Sequence, residues 1–227
     1  MLTRLLPCLF FDSLSSAERA RQLRNPEGDV GLAVAAWLNE TNRRGSAQIL
    51  AALGLERQSK VLEIGFGNGR AVPDVLAVAK DGHYAGIDIS PTMVEEAQRF
   101  NAEFITRGRA EFHCAAAERM PFSDAMFDRA FSIGVIHFWP DPVVALKELR
   151  RVMRPDGLAI MGAFAPPGAF DFARAEFGFY LRDAATWQAF CLEAGLRKAN
   201  AETIEVTQTD ADGAALKFNI VRIEARA

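Results

Sequence analysis

Apolar residues follow a helical spacing through the first part of the chain. Between residues 13 and 53 they recur every three or four positions, as in the series that runs from Leu32 to Leu53. The pair Gly45-Ser46 predicts a break and a restart within this stretch, and Gly54 predicts its end. We therefore expect this part of the chain to be helical.

Beyond residue 54 the pattern changes to short apolar runs that alternate with helical segments. Two of the helices are expected from Ser90-Pro91 to about Phe104 and from Asp141 to Met153. Strand and helix alternate five times, which favours a parallel sheet with helices on both faces. The five predicted strands are Lys60 to Ile64, His83 to Ile87, 109–115, Phe127 to Ile133 and Leu158 to Phe164.

The last part of the chain departs from this alternation. A helix is expected from Asp183 to Ala194, and two β-rich segments follow it at 201–208 and 215–225. The residues between them, Asp210 to Gly213, are typical of a hairpin turn. The sheet is therefore expected to end in an antiparallel pair of strands.

Charge and composition narrow the class of partner. The chain has 227 residues, a formal net charge of −3 and a pI of about 5.7. Proteins that bind nucleic acid usually have a basic face, so nucleic acid is disfavoured as a partner, and we interpret Arg19, Arg21 and Arg24 as a solvated helix face. The dispersed cysteines and histidines predict no metal site, and such cysteines are typical of reduced thiols in the cytoplasm.

The N-terminus contains one short apolar run, Leu5 to Phe11, which Pro7 interrupts. A small-x-small cleavage pattern does not follow closely, so we interpret this run as a mobile or docking segment rather than a signal peptide. No stretch reaches the roughly 18 apolar residues of a membrane span. We expect a cytoplasmic protein without a membrane span, either a monomer or a homodimer.

The most informative stretch is the glycine turn, Gly65-Phe66-Gly67-Asn68-Gly69, which follows the first predicted strand. Glycine permits positive φ and a close approach of the backbone to a ligand, and N–H groups at the start of a helix favour anionic groups. The dinucleotide fingerprint is G-x-G-x-x-G, but here the third glycine comes one residue early and Arg70 stands in its place. This spacing disfavours the alternative of a nicotinamide-dependent oxidoreductase.

A carboxylate follows the second predicted strand. Asp88 stands about 20 residues beyond the glycine turn, at a position where a carboxylate can accept both ribose hydroxyls of a bound nucleoside. The alternative is that Asp88 is a solvated turn residue. Together, the glycine turn and Asp88 predict a ligand that contains a nucleoside.

These stretches resemble the motifs of class I S-adenosylmethionine-dependent methyltransferases, particularly the small-molecule type of ubiquinone and menaquinone biosynthesis. Glu63 and the glycine turn resemble the first motif of that family. Residues 116–122 resemble its D-A-E-x-L-P-F stretch, with Ala116 in place of the Asp that contacts adenine. Residues 149–157 resemble its turn before the fifth strand, so that the resemblance covers about residues 58–165.

The resemblance implies a Rossmann-like, doubly wound α/β fold whose seven-stranded sheet has the order 3-2-1-4-5-7-6 with strand 7 antiparallel. Residues 1–53 would form an N-terminal helical extension or cap, and residues 54–227 a single domain that binds S-adenosyl-L-methionine and releases S-adenosyl-L-homocysteine. The residues assigned to the cofactor on this basis are Glu63, Gly65, Phe66, Gly67, Gly69, Asp88, Ile89, Ala117, Glu118, Ser132 and, from the leading helices, Asn42.

His137, in the loop after the fourth strand, is the candidate general base, because an ordinary histidine pKa of about 6.5 suits proton transfer. The alternative is a histidine that packs between Ile136 and Phe138. The aromatic residues between Phe170 and Tyr180 form either a lid over an apolar pocket or the buried side of a helix.

These observations predict methyl transfer to a small molecule that is apolar or aromatic. A second possibility is a cofactor-binding module without catalytic activity, since Ala116 removes one adenine contact. Protein and nucleic-acid methyltransferases are disfavoured by the acidic balance and by the lack of an N-P-P-[YF]-type tetrapeptide after the fourth strand.

Overall fold

Seven strands form one sheet in the computed structural model, which describes residue 11 and residues 13–167, 170–209 and 215–227. In chain order they are β1 (Lys60–Ile64), β2 (His83–Asp88), β3 (Ala110–Cys114), β4 (Phe127–Ile133), β5 (Met153–Ala165), β6 (Arg197–Thr209) and β7 (Ala215–Arg226). Across the sheet the order is β3-β2-β1-β4-β5-β7-β6. Strands β1 to β5 pair in parallel, and β7 is antiparallel to β5 and β6. The predicted order and the reversed strand are therefore confirmed.

Helices precede the sheet and then alternate with its strands. Three of them, α1 (Ser16–Arg24), α2 (Gly28–Thr41) and α3 (Arg43–Ala52), lie in the part of the chain that was predicted to be helical. The others are α4 (Val72–Val78), α5 (Pro91–Phe100), α6 (Ala102–Thr106), α7 (Pro142–Val152) and α8 (Ala184–Glu193), with 3-10 turns at Ile136–Phe138 and Ala175–Phe177. In the described part of the chain, no helix is long and apolar enough to cross a membrane.

Two predicted helix boundaries are wrong. The break expected at Gly45-Ser46 lies inside α3, and the chain leaves the helical path at Asn42 instead. The helix expected from Ser90 to Phe104 divides at Asn101. The side-chain amide of Asn101 donates to the carbonyls of Ala97 and Gly69, at 2.9 Å and 3.0 Å, and so ties the end of α5 to the glycine turn.

Long-range pairing also moves two strand boundaries. β5 begins at Met153 rather than at Leu158, because Met153 pairs with Phe127 before the register shifts. β6 begins at Arg197 rather than at residue 201, since Arg197 pairs with Arg226. The hairpin turn predicted at 210–213, and residues 5–10 of the predicted docking segment, lie outside the described residues.

The alternation of side chains along β1 divides the core between the two faces of the sheet. Leu62 belongs to one apolar layer with Leu146 and Trp187, whereas Val61 belongs to the other layer with Val75. All five side chains are completely buried. Full burial of a large apolar side chain contributes roughly 1.5–3 kcal/mol, so these two layers hold the carboxyl ends of the parallel strands in place.

The N-terminal helices dock next to the end of β2. The hydroxyl of Ser90, the N-cap of α5, donates to the carbonyl of Pro26 in the turn between α1 and α2. The Gly28 N–H in the same turn donates to the Thr92 hydroxyl at 3.3 Å. This contact supports the proposal that residues 1–53 cap the main domain.

Replacing Ser90 by alanine is expected to lower the free energy of unfolding by about 1–2 kcal/mol. The substitution removes the N-cap of α5 and leaves the Pro26 carbonyl without its donor. Ser15→Ala is the matched control, because the exposed Ser15 caps α1 through one bond to the Glu18 N–H. Urea unfolding of both variants measures the difference, and equal destabilisation would show that the bond to Pro26 contributes nothing.

Candidate functional site

The glycine turn has three residues in the left-handed region, with φ of +75° at Gly65, +56° at Gly67 and +72° at Gly69. A Cβ at Gly65 would lie 2.3 Å from Cγ2 of Val135, and one at Gly69 would lie 2.9 Å from Cβ of Ala97. Gly67, in contrast, has no atom within 4 Å of the place where a Cβ would lie. The turn is therefore closely packed on two sides and open at Gly67, where a ligand can reach the backbone.

The carboxylate of Asp88 joins the glycine turn to the start of α5. One oxygen accepts the Gly67 N–H at 2.9 Å, and the other accepts the Ser90 N–H at 2.9 Å. Burial raises the pKa of Asp88 to about 6, although its backbone hydrogen bonds act in the opposite direction. Because a carboxylate has about four acceptor sites, the hydroxyls of a ribose can still bind to it.

Glu63 lies in a buried pair with Tyr84. The Tyr84 hydroxyl donates to the Glu63 carboxyl group at 2.5 Å, and Glu63 is 6% exposed. Burial raises the pKa of Glu63 to about 8; the bond from Tyr84 opposes this rise, and the nearby charge of Asp88 adds to it. Glu63 is therefore mostly protonated at neutral pH. Tyr84 was not among the predicted site residues, although its place on the neighbouring strand could have indicated it.

The residues that follow β2 and β3 meet at the same end of the sheet. Ala115 donates its N–H to the carbonyl of Asp88 at 3.0 Å, which places the stretch after β3 beside that residue. Ile89 is 45% exposed, an unusual degree for an isoleucine beside a buried carboxylate. Ala117 is buried and Glu118 is exposed. The structure thus brings Ile89 and this stretch to the rim of the glycine turn.

Three other predicted site residues lie in different surroundings. The ring of Phe66 packs in the core, 5.1 Å from that of Phe112, so Phe66 contributes only its backbone to the surface of the glycine turn. The hydroxyl of Ser132 donates to the carbonyl of Ile64 at 2.8 Å and ties β4 to the end of β1. Asn42 caps α2, and the hydrogen bonds found for it are helical backbone bonds. Within the described part of the chain, no hydrogen bond joins Asn42 to the glycine turn.

His137 lies among phenylalanine rings and is 2% exposed. Its ring stacks on that of Phe179, with centroids 5.0 Å apart and an angle of 8°, and Phe138 and Phe164 also contact it. Burial lowers the pKa of His137 to about 3. The imidazole is therefore neutral, and its Nδ1 lies 3.4 Å from the Phe164 N–H, as an acceptor. These surroundings favour the packing alternative over that of a base.

A cavity of about 690 Å³ opens beside the rim of the glycine turn. Ile89 forms part of its wall, and α1 contributes Arg21 and Arg24. The segment after β5 contributes Phe177 and Tyr180. We refer to it as the Ile89 cavity. Its volume is in the range of pockets that hold small molecules.

The aromatic segment between Phe170 and Tyr180 has two kinds of surroundings, and the helix that one alternative required is limited to the 3-10 turn Ala175–Phe177. Phe170 and Phe172 stack at 5.0 Å and belong to an apolar cluster with Phe179 and the N-terminal helices. Phe177 and Tyr180 instead line the Ile89 cavity. The segment is therefore partly a packed core and partly a cavity wall. Arg24, which was interpreted as part of a solvated helix face, is exposed and also lines this cavity.

Comparison with known proteins identifies relatives along most of the chain. Residues 62–161 match a family model described as a methyltransferase domain. The chain is 31% identical to 27-O-demethylrifamycin SV methyltransferase from Amycolatopsis mediterranei over 201 residues, which are 84% of this chain and 73% of that enzyme. It is 29% identical to erythromycin 3''-O-methyltransferase from Saccharopolyspora erythraea, over 58% of this chain and 43% of that enzyme.

A solved structure supports the same fold. The chain superposes on an S-adenosylmethionine-dependent methyltransferase from Aquifex aeolicus with a TM-score of 0.66 and 20% sequence identity. The superposition covers 85% of this chain and 96% of the other. At this level of identity the likeness concerns the architecture.

Replacing Glu63 by glutamine is expected to reduce the dependence of stability on pH between about 4.5 and 8. The folded-state pKa of about 8 lies above the ordinary value of 4.5, so the folded chain keeps a proton that the unfolded chain has released. This contribution is fully present below the unfolded pKa and is lost as the pH rises through about 8. Glutamine has nearly the same shape but does not titrate, so this loss should be absent.

Urea unfolding at several pH values measures the effect. Glu96→Gln is the control, because hydrogen bonds from Arg99 lower the pKa of the partly buried Glu96 below its ordinary value, outside this range. If the wild type and Glu63→Gln lose stability equally as the pH rises, Glu63 is not protonated in the folded protein.

Proposed function

Because this chain belongs to the class I S-adenosylmethionine-dependent methyltransferases, we propose that it methylates a hydroxyl group on a small, largely apolar molecule. The cofactor is S-adenosyl-L-methionine, and S-adenosyl-L-homocysteine is its product. When bound, the cofactor supplies an activated methyl group on a sulfonium. The choice of a hydroxyl acceptor is supported by relatives whose names identify them as O-methyltransferases.

The residues around the glycine turn fit a nucleoside cofactor. The open side of Gly67 leaves room for an approach to the backbone, and the Asp88 carboxylate has acceptor capacity for ribose hydroxyls. The exposed side chain of Ile89 offers an apolar surface beside that carboxylate. We assign the adenine edge to the backbone of Ala117, since Ala116 offers no polar side chain there. In this proposal Glu63, Gly65, Gly69 and Ser132 act by shaping the turn.

The proposal of a small acceptor depends most on the Ile89 cavity. The cavity shares Ile89 with the proposed cofactor site, so a molecule bound in it lies next to the cofactor. Phe177 and Tyr180 give it aromatic surface, and α1 closes one side. A site that holds two reactants in contact can lower the barrier by several kcal/mol, roughly 7–11 at best. Binding and orientation are therefore the main contributions of these residues.

Replacing Asp88 by asparagine is expected to weaken the binding of S-adenosylhomocysteine by about tenfold or more, because bonds to a charged acceptor are stronger than neutral ones. Calorimetry measures the dissociation constant. Asp74→Asn is the matched control, since Asp74 is exposed on α4, outside the glycine turn.

A panel of hydroxylated acceptors, from apolar to strongly polar, tests methyl transfer by the wild type. Activity on uniformly polar acceptors alone would contradict the proposed substrate class.

His137 is retained as a proposed general base, although its burial favours a packing role. If His137 accepts the proton, His137→Phe should slow turnover by about a hundredfold, the lower end of the range for such catalysis. Phenylalanine preserves the stacking on Phe179, so the affinity for S-adenosylhomocysteine should not change. Steady-state kinetics with an accepted substrate measures the effect. Unaltered turnover would leave His137 as a packing residue.

A further inference from the structure

Arg24 is a cation in the wall of the Ile89 cavity that has no partner among the described residues. Its neighbour Arg21 lines the same cavity but pairs with Glu18 at 2.9 Å and with Glu27 at 2.7 Å. For Arg24, no hydrogen bond or ion pair to another described residue is found. The cavity therefore contains one arginine that is paired with carboxylates and one that has no acidic partner among the described residues.

The side chain of Arg24 is held in position by the 3-10 turn across the cavity. It lies over Gly178, where a Cβ would be 3.3 Å from Nη1 and 3.8 Å from Cδ of Arg24. Gly178 has a φ of +85°, which a residue with a side chain rarely adopts. One side of the Arg24 side chain thus contacts the backbone of the turn, while the residue as a whole is exposed.

Helix stabilisation does not account for this placement. Arg24 lies in the last turn of α1, where a positive charge interacts favourably with the helix dipole. That interaction requires only a positive charge near the end of the helix. It uses none of the five N–H donors of the guanidinium. Arg150 shows the same two features, since it lies in the last turn of α7 and its side chain packs over Gly195, which has a φ of +83°. Arg150 does not line the Ile89 cavity.

The other polar groups of the cavity define what Arg24 can bind. Glu176 is the acidic residue in the wall, and its nearest cation is Arg174, at 3.9 Å. The side-chain oxygen of Asn25 is buried in the same wall without a hydrogen-bond partner among the described residues. Phe177 and Tyr180 contribute aromatic surface to the same cavity. A guanidinium without an acidic partner can bind an anionic group through its N–H donors.

We infer that the methyl acceptor carries a carboxylate group, and that Arg24 binds this carboxylate while the apolar part of the molecule lies against Phe177 and Tyr180. The planar guanidinium matches a carboxylate through two parallel hydrogen bonds. Arg24 is then a residue that determines specificity, and it takes no part in the transfer itself. This inference rests on the proposed function, because it assigns the acceptor to the Ile89 cavity.

The test uses three matched probes on protein saturated with S-adenosylhomocysteine: 2-naphthoate, 2-naphthylmethanol and 2-naphthyl phosphate. Calorimetry should show that the wild type binds 2-naphthoate about tenfold tighter than the uncharged alcohol. Arg24→Gln should reduce this preference to about twofold or less. Arg24→Lys keeps the positive charge but cannot donate two parallel hydrogen bonds, so it should retain part of the preference. Arg150→Gln is the matched control and should keep the full preference.

Several results would overturn the inference. They are the absence of any preference for 2-naphthoate in the wild type, an equal preference in Arg24→Gln, or an equal loss in Arg150→Gln. If the wild type prefers 2-naphthyl phosphate over 2-naphthoate and Arg24→Gln loses this preference, the group that Arg24 binds is a phosphate and not a carboxylate. Failure of the proposed function would give a different result from failure of this inference. It would appear as no methyl transfer to any acceptor of the panel, regardless of which probes the protein binds.

Discussion

The site depends on the hydrogen bonds that the Asp88 carboxylate accepts from the backbones of Gly67 and Ser90. These two bonds join the turn after β1 to the start of α5 at the carboxyl ends of adjacent parallel strands. They also oppose the rise in pKa that burial imposes on Asp88, and so favour its charged form. Without them, a buried carboxylate at this position would be costly and the glycine turn would lose its anchor.

The same contact extends to the N-terminal helices. Ser90 donates its backbone N–H to Asp88 and its hydroxyl to Pro26, so that one residue touches both the proposed cofactor site and the turn between α1 and α2. Because α1 contributes a wall of the Ile89 cavity, the positions of the cofactor site and of the proposed acceptor site are linked through Ser90. A change in the docking of α1 would therefore alter the acceptor site first, while the sheet beneath it stays in place.

The sequence predicted those features that local pattern determines. The alternation of short apolar runs with helical segments predicted the five parallel strands, and the reversed pair followed from the pattern near the C-terminus. Glycine spacing identified the turn because positive φ at Gly65 and Gly69 leaves few other residue types possible. The bond between Tyr84 and Glu63, the burial of His137 and the place of Arg24 were not predictable in this way. Each depends on which distant segments pack together, and local periodicity does not contain that information.

This division also separates two kinds of residue in the proposed mechanism. The residues proposed to bind the cofactor lie at strand ends, where the two apolar layers of the sheet fix the backbone. Those that would select the acceptor lie on α1 and on the segment that contains Phe177 and Gly178, both of which are outside the sheet. Since the guanidinium of Arg24 rests on the backbone of Gly178, the two outer segments position each other across the cavity. Selectivity for the acceptor can therefore change through these segments without disturbing the parallel strands that hold Asp88.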